Sequence, residues 1–211
     1  MCAAHVLPTP TIAARYEARY IAMKMILIDA IVQTIDTRLL TRRRAAQLCN
    51  TSYSHLNRTL SGRTEGITSI TIERLATWLA ALGRTVEIVI QPPAPERTAA
   101  FPAVRAFRTC PHKPPTNIGS PQHGQPDHIT TKLALIEILR WTIEAHQLTQ
   151  THAAWLCGAH AANISRALQG QTNCLTIDRL IKWLTALGHP IEVRVPPYDP
   201  EQEIGRLFVR S

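Results

Sequence analysis

Apolar residues recur at three- and four-residue steps along the first part of the chain: Ile12, Tyr16, Tyr20, Met23, Leu27, Ile31 and Ile35. This spacing lines one face of a helix. It predicts either one long helix ending near Thr37 or a short helix feeding a second. A related stripe of Leu135, Ile138, Leu139 and Ile143, with charges on the other face, predicts a helix over residues 131–145. Two further stripes resemble each other closely, Ile72, Leu75, Trp78, Leu79, Leu82 and Ile177, Leu180, Trp183, Leu184, Leu187. Each follows a Thr that can cap a helix, carries an acid in its first turn to complement the helix dipole, and closes on Gly83 or Gly188. Trp and Leu at this spacing are core residues rather than a ligand box. Beyond each glycine the period shortens to two, in Val86-Glu-Ile-Val-Ile and Ile191-Glu-Val-Arg-Val, which predicts one short strand apiece. A single strand cannot stand alone, so each needs a partner.

These likenesses belong to an internal repeat. LTRRRAAQLCNTSYSHLNRTLSG (40–62) and LTQTHAAWLCGAHAANISRALQG (148–170) align without a gap, sharing Leu-Thr, Ala-Ala, Leu-Cys, an aliphatic Leu56 or Ile164, an Arg, a Leu and a closing Gly. Repeat 1 has three extra residues between Gly62 and Ile70. Within each copy, Thr41 or Thr149 is placed to cap a short helix ending at Cys49 or Cys157. The chain must then turn sharply at Asn50 or Gly158, the residue types that best tolerate a left-handed backbone. Ser52 or His160 begins a second short helix. Ala46 and Ala154, four residues before the turn residue, let the two helices approach; Leu56 and Ile164, six after it, pin the second helix to the core. Small residue, turn residue and aliphatic at spacings of four and six, found twice, are the helix-turn-helix signature.

The fold expected is mostly α: two tandem helix-turn-helix domains of four to five helices, each followed by one short β-strand, with the strands paired either within a chain or between two chains of a homodimer. The boundaries expected are a partly helical N-terminal extension (1–23), domain 1 (24–91), a linker (92–127), domain 2 (128–197) and a tail (198–211). The stretch from Gln91 to Asp127 holds nine of the fifteen prolines, which marks it as a semi-extended linker. In the tail, Ile204, Leu207, Phe208 and Val209 offer apolar surface for docking.

Charge narrows the function. The chain has 211 residues, a net charge of +8 and a pI near 9.7, which makes a polyanion the first partner to consider. No apolar run is long enough to span a membrane and no signal pattern opens the chain, so a soluble cytoplasmic protein is expected, nucleoid-associated when bound to DNA. The five cysteines, Cys2, Cys49, Cys110, Cys157 and Cys174, form no CxxC pair. Cys49 and Cys157, flanked by apolar residues, read as small buried hydrophobes. His152, Cys157 and His160 lie close in sequence, but the turn scatters their directions, so no metal is expected. No catalytic triad, HExxH pattern or Gly-rich phosphate loop appears, so neither an enzyme nor a cofactor is expected.

On Leu148-Thr149-Gln150, Ala153-Ala154, Gly158, Ile164-Ser165-Arg166 and Gly170, repeat 2 resembles the XRE family of helix-turn-helix regulators, the Cro and phage-repressor type. Its continuation, Thr176-Ile177-Asp178-Arg179-Leu180-Ile181 to Gly188 and a strand, is similar to the HigA-like antitoxin branch. Repeat 1 departs from the pattern at Arg42, where Gln is usual, and at Asn50, where Gly is usual. The resemblance covers about residues 24–90 and 131–195. It implies that the second helix of each motif enters the major groove of double-stranded DNA. The base-reading positions it implies are Tyr53, Ser54, His55, Asn57 and Arg58 in repeat 1, and Ala161, Ala162, Asn163, Ser165 and Arg166 in repeat 2. Arg58 and Arg166 suit guanine, Asn57 and Asn163 suit adenine, and the two alanines suit thymine methyls. Phosphate contacts are expected from Thr41, Arg42, Arg43, Arg44 and Arg63, and from Thr149 and Gln150.

Since the two reading helices differ at nearly every exposed position, the expected function is a transcriptional regulator of bacterial or mobile-element type, one chain acting as a pseudo-dimer on unlike half-sites. Two alternatives keep the fold. One is an antitoxin that also binds a toxin or other regulatory protein through the linker or tail; the other is a weakly specific architectural or silencing protein.

Overall fold

In the computed structural model, which describes residues 12–62, 64–92, 127–173, 175–198 and 205–210, the first apolar stripe forms one helix, α1 (Ile12–Thr37). Of its stripe, Met23, Leu27, Ile31 and Ile35 are buried and Tyr20 is half-buried. The helix stops because Leu39 adopts a left-handed conformation (φ 49°) and the Leu40 N–H turns back to the Ile35 carbonyl at 2.9 Å. The matching helix of repeat 2, α6 (Asp127–Ala145), begins four residues before the expected Thr131 and ends the same way, with Gln147 at φ 51° and Leu148 N–H on the Ile143 carbonyl at 2.9 Å.

Repeat 1 continues through α2 (Arg42–Leu48), α3 (Tyr53–Leu60), α4 (Thr64–Ser69), α5 (Ile72–Ala81) and β1 (Val86–Ile90). Repeat 2 has α7 (Gln150–Leu156), α8 (Ala161–Leu168), α9 (Ile177–Ala186) and β2 (Ile191–Arg194). The three-residue insertion in repeat 1 thus lies where the short helix α4 forms. The side chains of Thr71 and Thr176 cap α5 and α9 by accepting from the Arg74 and Arg179 N–H groups. Both Trp-Leu stripes are buried throughout, and each large aliphatic so removed from water contributes about 1.5–3 kcal/mol.

The two strands pair with each other, antiparallel and within one chain: Ile88 lies opposite Val193, and Ile90 opposite Ile191. A third strand comes from the tail. β3 (Leu207–Arg210) runs parallel to β1, so the sheet order is β2-β1-β3 and the strand of repeat 1 is central. The tail also touches repeat 2, since the Thr131 hydroxyl on α6 donates to the Leu207 carbonyl at 3.2 Å. Gly205 makes this approach possible, because a Cβ there would lie 2.0 Å from the Arg84 carbonyl oxygen.

Contacts between the repeats are reciprocal, as across an approximate twofold. The Asp178 carboxylate in the first turn of α9 accepts from the Ile72 N–H of α5 at 2.9 Å, and Glu73 in α5 accepts from the Ile177 N–H of α9 at 3.3 Å. Each acid therefore sits at the positive end of the other repeat's helix dipole. The Tyr20 hydroxyl donates to Asp178, and Lys132 pairs with Glu73 at 2.9 Å. A second reciprocal pair follows the closing glycines. Arg84 donates to the Thr34 hydroxyl and to the Pro196 carbonyl beyond β2 (3.5 and 2.6 Å). His189 meets the Thr142 hydroxyl and the Gln91 carbonyl beyond β1 (2.8 and 3.0 Å).

Candidate nucleic-acid interface

Two short helices around a left-handed residue recur in both repeats. Thr41 and Thr149 accept from the N–H groups of Arg44 and His152 at 3.2 Å, which fixes the starts of α2 and α7. The turn residues have φ values of 48° for Asn50 and 59° for Gly158. Ser52 caps α3 by accepting from the His55 N–H at 3.2 Å; His160 makes no side-chain cap for α8. Ala46 and Ala154 are buried at the helix crossing, and Leu56 and Ile164 are fully buried beneath the second helices. Cys49 and Cys157 are buried as well, each Sγ 3.7 Å from the carbonyl of Trp78 or Trp183. Burial pushes their thiols up to about 11 and about 12, which suits a packing role.

On α3, Tyr53, Ser54 and Arg58 are exposed, with Tyr53 at 47%. Asn57 is half-buried and its side-chain oxygen accepts from Arg42, so the first residue of α2 is tied to the face of α3. His55 turns inward. Its ring is half-buried, meets the buried Trp78 ring edge-on at 5.5 Å, and brings Nδ1 within 3.3 Å of an Arg58 nitrogen. On α8, Ala161, Ala162 and Arg166 are exposed, and Asn163 and Ser165 are half-buried. Thr41, Arg42, Arg43, Arg44, Thr149 and Gln150 are all exposed at the starts of α2 and α7. Arg63 lies outside the described residues.

The motif helices contain no acid in either repeat. Repeat 1 sets four cations there, Arg42, Arg43, Arg44 and Arg58, and repeat 2 only Arg166. Both faces attract a polyanion, and the first does so far more strongly. One exposed feature lies outside the expected interface residues. Trp155 on α7 is 75% exposed, with the His152 ring 6.0 Å away, where repeat 1 has the hydrogen-bonded pair Gln47 and Arg44. The sequence carries a signal for it, since Trp155 falls on the polar face of its short helix.

A second helix crossed on a capped helix through a left-handed turn, twice over, defines a helix-turn-helix protein. Residues 15–91 and 120–196 each match the family model described as a helix-turn-helix domain, and together they span more than half of the chain. The chain therefore belongs to that family, in two tandem copies, and the two copies support a DNA-binding regulator as its class. No curated protein and no solved structure matches the chain. Among the described residues, no helix is long and apolar enough to cross a membrane, and no group of three or more His, Cys, Asp or Glu is placed to hold a metal ion.

Proposed function

We propose that the chain is a sequence-specific transcriptional regulator that engages double-stranded DNA as an intramolecular pseudo-dimer, its two motifs meeting the two unlike halves of one operator. The observation that carries this reading is the antiparallel pairing of β1 with β2 inside one chain. It is reinforced by the reciprocal acids of α5 and α9. A homodimer brings two copies of one reading helix to a palindrome. Here one chain carries both readers, and they are chemically different.

In this reading Tyr53, Ser54, Asn57 and Arg58 meet base edges in the repeat-1 half-site. Ala161, Ala162, Asn163, Ser165 and Arg166 do so in the other. Arg42, Arg43, Arg44 and Arg63 hold phosphates beside repeat 1; Gln150 and the capped start of α7 do so beside repeat 2. The likeness to the XRE type rests on Leu148-Thr149-Gln150 and Ile164-Ser165-Arg166. The exposed alanines of α8 favour a second reading, a weakly specific architectural protein. Leu207–Arg210 of the tail, which an antitoxin could offer to a toxin, forms a strand of the chain's own sheet.

Random-site selection followed by footprinting separates the readings. A pseudo-dimer selects an asymmetric site with two protected segments one helical turn apart, about 34–36 Å. Arg58→Ala and Arg166→Ala should each relax one half only. A symmetric site, or protection under repeat 1 alone, would refute the pseudo-dimer. An architectural protein would show a specific-to-nonspecific ratio well below the usual range of about 10³–10⁷.

A further inference from the structure

His55 stands among the reading positions of α3, yet its ring points at Trp78 and its Nδ1 at Arg58. The geometry points to His55 as a positioning residue that aims Arg58 at its base while neutral and releases it when protonated. This rests on the DNA-reading function proposed above.

Arg58 has five N–H donors and needs an acceptor to hold its long side chain in one orientation. His55 lies one helical turn earlier on the same face of α3, and its Nδ1 is 3.3 Å from Arg58 Nη2. Because a guanidinium only donates, Nδ1 must be the lone-pair nitrogen, with the proton on Nε2. The ring is fixed edge-on against Trp78 of α5, which is itself buried. The helix cap holds the backbone beneath, Ser52 accepting from the His55 N–H. An arginine aimed before it meets DNA loses less conformational freedom on binding, and that favours the guanine it fits over other bases.

Among the described residues, the charged groups acting on the ring are Arg74 from α5 and Arg58 from its own helix; the other neighbour on α5, Trp78, is uncharged. Burial, then Arg74, then Arg58 hold the imidazole below its usual value of 6.5, so it is neutral at ordinary pH. A proton on Nδ1 removes the acceptor and adds a third positive charge to the cluster. Acidification then has opposite effects on two measurable quantities. Attraction to any DNA grows with the added charge, whereas discrimination at the base met by Arg58 shrinks. Repeat 2 has Asn163 at the equivalent position, so Arg166 lacks this proton-sensitive neighbour and its half-site serves as an internal control.

The test uses the full chain with His55→Phe, His55→Gln, Arg58→Ala and the double variant H55F/R58A, on duplexes varied at each base of the selected site, at pH 7.5 and about pH 5. Phe keeps a ring on Trp78 but offers no acceptor; Gln offers an acceptor that does not titrate. Losing one bidentate base contact corresponds to about a 5- to 150-fold loss of discrimination. H55F should lose part of that at the same base position as R58A, and the double variant should lose no more than R58A. Wild type should lose it on acidification, while H55Q keeps it at both pH values. Additive effects of H55F and R58A would overturn the proposal, making His55 a direct reader, and so would the wild-type pH response persisting in H55Q. Imidazole titration by NMR without DNA supplies a separate readout: the His55 value should rise in R58A, and no change would also overturn the contact. Wild type with no base preference at any pH would refute the DNA-reading function itself, while the NMR result would still report on the His55–Arg58 pair.

Discussion

Replacing Asp178 with alanine probes whether the two repeats form one cooperative unit. The carboxylate accepts from the Ile72 N–H at 2.9 Å and from the Tyr20 hydroxyl. Its loss strands a helix-terminal donor, a cost of about 1 kcal/mol by comparison with lost N-caps. Removing an anion from the positive end of α5 adds about 0.3–1 kcal/mol. Tyr20 loses a charged acceptor, worth about 1.5–3 kcal/mol. The three effects share one carboxylate and do not simply add. Asp178 is only half-buried, so the lower part of each range applies, giving no more than about 3 kcal/mol in all. Lys24, only 2% exposed, also loses the neighbouring charge that opposes its desolvation. For a chain of this size, 3 kcal/mol lowers Tm by about 6–12 °C. Urea unfolding followed by tryptophan fluorescence and far-UV circular dichroism measures the change. Asp178→Asn keeps an acceptor for Ile72 and should lose less. A change below about 0.5 kcal/mol in Asp178→Ala would refute the argument, and the sheet alone would then join the repeats.

Three further predictions concern separate parts of the fold. Gly205→Ala would place a Cβ against the Arg84 carbonyl and should dislodge β3; fast hydrogen exchange at Val86, whose N–H binds the Arg206 carbonyl at 2.7 Å, is the readout, and retained protection would refute it. Leu39 is left-handed and 92% exposed, so Leu39→Gly relieves backbone strain without losing burial. The net gain expected is about 0.5 kcal/mol after the extra entropy of an unfolded glycine, detected as a small rise in Tm. Burial lowers the values of His55, His146 and His189 from 6.5, so between those values and 6.5 the unfolded chain binds more protons. Their stability contribution is complete above about pH 6.5 and declines as pH falls; urea midpoints that stay level or rise from pH 7.5 to about 5 would contradict this.

The motifs were legible because their determinants are local. A Thr cap, an Ala four residues before a left-handed Asn or Gly, and an aliphatic six residues after it each act within about two helical turns, and the repeat presents them twice. The β1–β2 pairing was legible as a need, since each strand lacked a partner in its own repeat. β3 was not legible as a strand. Four residues, Leu207–Arg210, carry too little pattern, and their partner β1 lies more than a hundred residues earlier. Nor could the sequence show that Leu39 and Gln147 turn left-handed, because neither is the usual glycine. Lys24 was hidden for another reason. A lysine in an amphipathic helix is expected in solvent, but its ammonium is buried where the Ile67 and Thr68 carbonyls accept its protons. Among the expected base-reading positions of α3, helical phase accounts for the exposure of Tyr53, Ser54 and Arg58. It could not decide His55, which sits at the margin of the face and is turned inward by Trp78 of another helix.

The central place of β1 has a consequence during synthesis. Its flanking strands, β2 and β3, are both encoded about a hundred residues or more downstream. At about 5–20 residues per second, the strand of repeat 1 waits on the order of 5–25 seconds with both edges unpaired. Ile88 and Ile90, buried in the finished sheet, have no strand partner in that interval. The sheet that joins the two repeats is therefore assembled last. A chain interrupted before residue 207 would carry both motifs without the strand that joins β1 to α6. Premature termination would then yield a fragment with its β1 edge open to other chains, rather than a half-strength regulator.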